Sequence, residues 1–296
     1  MTGRPPRVAV LGGTGWVGRH LCAAFAAQGY EVTVVARHRA AHLSGLPFHA
    51  CDLAAADAAA LAALLREVRA DVVVNATDAA NAADGWDRTE ADLERLNAGA
   101  VERLVAAAGT LPWRPRLVQI GTVHELGASG AYARTKLRGS RAVLDAARAG
   151  AVRGVVLRLA NVCGPHPSPE SFPGKLLASL RRAEAGEHVT VTVADTRRDF
   201  LDVRDAAAAT VLAARSPVAG TALSLGSGVA VSMRELLEAF MAVAGLPEGS
   251  VTVRAAPVRS LGGDGTRVDV SPARELLGWR PRIGLAESLR AMWEAS

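Results

Sequence analysis

An α/β fold built on a doubly wound parallel sheet, with a smaller C-terminal lobe, is predicted by three observations. Short apolar runs bounded by glycine or polar residues alternate with amphipathic helical patterns over residues 7–159. The first run opens directly into Gly12, Gly13, Gly15 and Gly18, a spacing that joins a buried strand to a helix through a tight turn. Beyond residue 161 the pattern becomes irregular, with short elements punctuated by proline and glycine.

Residues 8–11 read as the first strand, apolar throughout as expected of a strand buried on both faces. Val17, Leu21 and Phe25 mark a helix after the turn, and residues 32–35 form the second strand. Residues 48–52 read as a short third strand, 57–68 as a helix and 71–77, DVVVNAT, as a buried fourth strand ending in polar residues. A helix with apolar positions at Leu93, Leu96, Val101, Leu104 and Val105 precedes a fifth strand at 116–120. A helical pattern at 132–149 and a sixth strand at 152–159 complete this half. The remainder holds a helix near 174–185, strands near 189–193 and 221–225, a helix at 232–244 and a last helix at 285–294. Residues 1–160 are therefore expected to form the nucleotide-binding domain, joined by returning segments near 195–225, and 161–296 mainly a substrate-covering lobe. Ligands belong at the carboxyl ends of such strands.

The chain has 296 residues, half of them apolar, enough for a substantial core. No run approaches the roughly 20 apolar residues of a membrane span, and the N-terminus lacks a signal-peptide pattern, so a cytoplasmic protein without membrane partners is expected. Three cysteines, Cys22, Cys51 and Cys163, lie far apart without metal-ligand spacing, so reduced thiols and no bound metal are expected. The net charge of +5 is spread through helices and loops beside acidic residues, with few aromatics, which argues against nucleic-acid binding.

Gly12, Gly13, Thr14, Gly15, Trp16, Val17 and Gly18 form a turn whose backbone N–H groups, at the positive end of the following helix, suit a dinucleotide pyrophosphate. Arg37, His38 and Arg39 end the second strand. An acidic residue there would bind the ribose hydroxyls of NAD, whereas arginine suits the extra phosphate of NADP. NADP(H) is therefore favoured over NAD, with a solvated basic loop as the alternative reading of these three residues. Tyr132 and Lys136 share one helix face, where an ammonium would lower the pKa of the phenol and make it a usable proton donor or acceptor. Thr122, at the end of the fifth strand, places a hydroxyl where it would hold a substrate carbonyl beside the tyrosine.

In these residues the chain resembles the extended short-chain dehydrogenases/reductases, of the epimerase/dehydratase type that acts on nucleotide sugars, a family with a Rossmann-type fold. Gly12-x-x-Gly15-x-x-Gly18 is similar to the family's cofactor turn, Asp52-Leu53 to its adenine-contacting position, Asn75-Ala76-Thr77 to its fourth-strand end, and Thr122, Tyr132 and Lys136 to its catalytic set. LRLANVCGP, RDFLDVRD and ARELLGWRPR resemble three later family segments, so the likeness covers nearly the whole chain. It implies that Asn161 and Arg198 contact a substrate diphosphate, with a loop cap and a salt bridge to Asp199 or Asp202 as the structural alternatives. Arg259, Asp264 and Arg267 stand near positions where the family places further nucleotide contacts, at a departing spacing. A helix-mediated homodimer is also implied.

Sugar 4,6-dehydratases of this type carry Asp-Glu directly after the threonine; here Val123 and His124 stand there, and His124 is either an accessory proton donor or a structural polar residue. The expectation is an NADPH-dependent ketoreductase of a nucleotide-activated 4-keto-6-deoxyhexose. A nucleotide-sugar 4-epimerase with retained NAD and a non-catalytic dinucleotide sensor are the alternatives.

Overall fold

Strand β1 (Arg7–Leu11) explains its own unbroken apolar run: Val8 and Val10 enter the core on one side of the central sheet, while Ala9 and Leu11 enter the core on the other. Successive side chains of a strand point to opposite faces, so a strand covered on both sides must be apolar at every position. Residues 4–78, 89–127, 130–255 and 267–296 are described by the computed structural model.

From β1 the chain passes through helix α1 (Trp16–Ala27) to β2 (Glu31–Ala36) and β3 (Phe48–Ala50), then through α2 (Ala58–Glu67) to β4 (Val72–Asn75). A short helix α3 (Glu90–Leu93) continues through a π-helical turn, Glu94–Gly99, into α4 (Ala100–Gly109). Strand β5 (Arg116–Thr122), helix α5 (Gly130–Arg148) and β6 (Arg153–Leu159) follow. The seven-stranded sheet has the order β10-β6-β5-β4-β1-β2-β3, its seventh member being β10 (Ala222–Leu225), and every pair in it is parallel. Strand order reverses between β1 and β4, which opens a crevice at their carboxyl ends.

Most element boundaries follow local chemistry. Asp57 caps α2 by accepting the Ala60 N–H at 2.7 Å, so the helix starts one residue later than expected. The third strand stops at Ala50 instead of residue 52 because the Asp52 carboxylate turns the chain, accepting the Ala54 N–H at 3.0 Å. The fourth ends at Asn75, whose side-chain oxygen takes both the backbone N–H and the hydroxyl of Thr77. The fifth runs on to Thr122.

The second half contains β7 (Asn161–Cys163), α6 (Phe172–Glu184), β8 (Val189–Val193), β9 (Arg197–Asp202), α7 (Val203–Arg215), β11 (Ala230–Ser232), α8 (Met233–Ala244), β12 (Val251–Ala255), α9 (Ser271–Leu277) and α10 (Leu285–Glu294). Helix α7 has no counterpart in the sequence-based assignment. Its alanine-rich sequence is buried along most of its length, and packing on α1 and the sheet decides its place. Helices α1 and α7 cover one face of the central sheet, and α2, α4 and α5 the other. A separate core gathers Leu180 of α6, the inward valines of β8, Phe240 of α8 and Met292 of α10.

Two buried polar residues tie distant segments together. Arg116 donates to the carbonyls of Ala213, Arg153 and Val218, clamping the end of α7 to β5 and β6. Asp205 accepts the backbone N–H groups of Arg282 and Ile283 at 2.8 and 2.9 Å, while its own carbonyl receives the buried Trp279 indole. Among the described residues no helix is long and apolar enough to cross a membrane.

Candidate active site

A cleft of about 1080 Å³ opens at the carboxyl ends of the parallel strands. Its floor begins with the glycine turn. Gly12 adopts φ +74°, and a Cβ there would lie 3.0 Å from the backbone of Ala76 and Thr77. A Cβ on Gly18 would come within 2.1 Å of the Gly12 carbonyl oxygen, so only glycine lets α1 start this close to the turn. Gly15 is the N-cap of α1 and offers no side-chain bond, which leaves the first N–H groups of the helix to face the cleft with Trp16, Val17 and Gly18. This cradle fits a pyrophosphate, and with it a dinucleotide.

Arg37, His38, Asp52 and Leu53 line the next part of the cleft together with Arg19 and His42, which sequence reasoning missed. Arg19, one turn into α1, carries no strand-end signal; only the fold brings it beside the end of β2. It depresses the pKa of His42 after burial has done so, with His166 adding to the effect. Arg39 does not join them. Its guanidinium lies 5.0 Å over the Phe48 ring, with long contacts to the Ser44 and Leu46 carbonyls. Gly13 is turned toward Val10, Val34 and Cys22 instead of the cleft, and buried Asn75 spends its amide on Gln119 at 2.9 Å; neither lines the cavity, whereas Thr14, Ala76 and Thr77 do.

Thr122, Tyr132 and Lys136 converge on the cleft, all buried. Helix geometry brings Tyr132 and Lys136 to one face of α5, but the ammonium is directed to the Ile120 carbonyl at 3.0 Å. The Tyr132 hydroxyl donates to Asp78 Oδ2 at 3.0 Å. Burial, then the Asp78 carboxylate and Glu125, push the phenol well above its ordinary pKa, opposite to the lowering expected from the lysine. Here the lysine charge is spent on a carbonyl and two carboxylates face the phenol.

Glu125, also missed, sits beneath Thr122. It is completely buried, accepts the Thr122 N–H and the Ser140 hydroxyl through one oxygen, each at 3.0 Å, and pairs with Arg158 through the other at 2.8 Å. The Thr122-x-x-Glu125 spacing is a capping-box signature and was a legible signal. His124 lines the cleft. Burial lowers its pKa, with Arg198 adding to that effect and Asp78 opposing it.

Asn161 and Arg198 line the far part of the cleft, with Lys175, Thr192 and Thr196 nearby. Asn161 also donates to the Asp199 carbonyl at 3.2 Å. Arg267 is exposed and absent from the cavity wall. Arg259 and Asp264 lie outside the described residues. Trp16 and His20 of α1 both bond the Pro165 carbonyl, at 3.0 and 3.1 Å, which fastens the loop after β7 over the cleft.

Comparison with known proteins agrees with this geometry. Residues 8–226 match the model of the NAD dependent epimerase/dehydratase family. The chain is 37% identical to a dTDP-6-deoxy-L-talose 4-dehydrogenase (NAD(P)(+)) of Kitasatospora kifunensis, over 98% of this chain and 96% of the relative. It is 27% identical to a UDP-glucose 4-epimerase of Rhizobium leguminosarum bv. trifolii, over 97% and 96% of the two chains. The structure of a UDP-glucose-4-epimerase from Stenotrophomonas maltophila, with bound NAD and formylated UDP-arabinopyranose, superposes with a TM-score of 0.82 at 25% identity, covering 98% of this chain and 97% of that one. The strand order, the glycine turn and the Thr-Tyr-Lys set thus meet in one chain that belongs to the NAD dependent epimerase/dehydratase family of extended short-chain dehydrogenases/reductases.

Proposed function

We propose that the protein is an NADPH-dependent reductase of a keto group on a nucleotide-activated deoxysugar, acting on an NDP-4-keto-6-deoxyhexose. The observation that carries this reading is the convergence of Thr122, Tyr132 and Lys136 in one cleft with the glycine turn and with Asn161 and Arg198. The reduced nicotinamide supplies the hydride. Tyr132 gives its phenolic proton to the carbonyl oxygen, and Thr122 donates a hydrogen bond that orients the same oxygen. Lys136 keeps N–H donors beyond the one on Ile120 for the nicotinamide ribose. Arg198 and Asn161 hold the diphosphate, the guanidinium by charge-assisted hydrogen bonds.

The relative named as a 6-deoxy-talose 4-dehydrogenase supports the sugar position, since oxidation of a C4 hydroxyl and reduction of a C4 ketone are two directions of one reaction. Arg19 and Arg37 support NADP, because they give the adenosine end of the cleft two guanidinium groups suited to an extra phosphate, with His38 and His42 beside them. A 4-epimerase with retained NAD is the second reading, favoured by the relatives named UDP-glucose 4-epimerase. The test is a screen of nucleotide-activated 4-keto sugars following NADPH absorbance. Stoichiometric NADPH consumption supports the reductase; NAD that survives purification, with interconversion of C4 epimers, supports the epimerase instead.

A further inference from the structure

We propose that Glu125 is a positioning residue of this site: its buried carboxylate fixes Thr122, at the end of β5, relative to Tyr132 and Lys136 on α5, and so acts on the rate through Thr122. The kinetic part rests on the reading of Thr122 as the hydroxyl that orients the reacting oxygen.

The carboxylate stands where the elements that carry the site meet. Its Oε1 accepts the Thr122 N–H and the Ser140 hydroxyl, each at 3.0 Å, while Oε2 accepts the Arg158 Nε–H at 2.8 Å. Ser140 lies one turn beyond Lys136 on α5, and Arg158 belongs to β6, which leads directly toward Asn161. Strand end, helix and neighbouring strand are thus joined through a single group. The backbone is cleared for it, since a Cβ on Gly121 would lie 2.4 Å from Glu125 Oε1. One residue earlier, the Ile120 carbonyl accepts Lys136 Nζ at 3.0 Å, a second tie between β5 and α5.

The same turn sets the direction of the Thr122 hydroxyl. Its oxygen accepts the His124 N–H at 3.3 Å, which leaves the hydroxyl hydrogen to be donated into the cleft that Thr122 lines. Stability alone gives no account of the ion pair. Apolar side chains of similar volume often match a buried pair in stability, but an apolar residue at 125 would leave the Thr122 N–H without its acceptor. A misplacement of about 1 Å in a group that orients the substrate is enough to cost about 100-fold in rate.

The test compares two double variants that both lack the ion pair and differ in the acceptor. Glu125→Gln with Arg158→Met keeps an amide oxygen for Thr122 and Ser140, whereas Glu125→Leu with Arg158→Met keeps none. Turnover is read on whichever reaction the wild type performs, reduction of a 4-keto sugar nucleotide or interconversion of C4 epimers, so a failure of the reductase reading is seen separately. The Glu125→Leu pair should lose about 10- to 100-fold in kcat, with KM for the sugar nucleotide within about twofold and a melting temperature no lower than that of the Glu125→Gln pair. The Glu125→Gln pair should keep kcat within about threefold of the wild type. A merely structural role would instead make the rates follow the melting temperatures. Equal kcat in the two proteins overturns the assignment. If the Glu125→Leu pair fails to fold, Ser140→Ala decides, because it frees α5 from the carboxylate and leaves the ion pair in place: kcat about three- to tenfold lower at unchanged KM supports the assignment, and unchanged kcat overturns it. A wild type that turns over neither substrate, with the Thr122 amide slow to exchange in the Glu125→Gln pair and fast in the Glu125→Leu pair, supports the Glu125 contact and overturns its kinetic role together with the proposed function.

Discussion

Glu125 accepts the backbone N–H of Thr122 at 3.0 Å from a position with no solvent exposure, and Arg158 neutralises it from β6. The pair holds the turn after β5, from which Thr122 reaches the cleft. Removing one partner of a buried pair strands the other charge. Glu125→Ala is therefore expected to lower unfolding free energy by about 3–5 kcal/mol. Glu125→Gln, which keeps an acceptor for Thr122, should lose less. Denaturant unfolding of both variants checks the order.

Tyr132→Phe is expected to keep cofactor and sugar-nucleotide binding while reducing turnover by roughly 10² to 10⁴, the usual loss for a general acid. Near-normal turnover, measured with a 4-keto sugar nucleotide, would remove Tyr132 from the mechanism.

Arg37→Asp should weaken NADPH roughly 10- to 100-fold and NADH much less, because it removes a charge-assisted phosphate contact and adds a like charge. Arg19→Ala should move the same preference in the same direction. Binding titrations with both cofactors decide it, and a wild type that prefers NADH would sink the phosphate assignment.

No dehydratase activity is expected on a nucleotide-activated glucose. Elimination requires removal of the C5 proton and protonation of the leaving C6 oxygen in one site. Val123, half-buried against the core, supplies neither function, and neighbouring His124 is biased toward its neutral form by burial and Arg198. Formation of a 4-keto-6-deoxy product at a catalytic rate would contradict this and the reductase reading with it.

Stability should fall as the pH drops below the ordinary histidine value. His20 and His124 both have folded-state pKa values lowered chiefly by burial. Below about pH 6.5 the unfolded chain therefore binds protons that the folded chain refuses. Their contribution is complete above that value and is lost as the pH falls through the lowered folded values. Melting temperatures measured from about pH 7.5 to about pH 5 should decline less for His20→Asn than for the wild type.

The sequence by itself determined what contiguous residues encode. The buried first strand, the glycine turn and α1 lie within one short stretch, and helical spacing alone puts Tyr132 and Lys136 on one face. Alternating apolar runs were enough for the parallel sheet, because each run reports its own burial on two faces. Family-like segments ordered along the chain pointed to the dinucleotide and the sugar nucleotide. What only the tertiary structure decided is which side chains meet across distant segments. Helix α7 had no counterpart in the sequence reading, and its buried alanines are placed by packing on α1 and the sheet. Arg39 was drawn to Phe48 and away from the cleft, while Arg19 entered from α1. The proton affinity of Tyr132 is raised by burial, then by Asp78 and Glu125, and not lowered by the lysine one turn away. Local periodicity fixes where a side chain leaves the backbone, but the partners that set its proton affinity arrive from other strands and are chosen by packing.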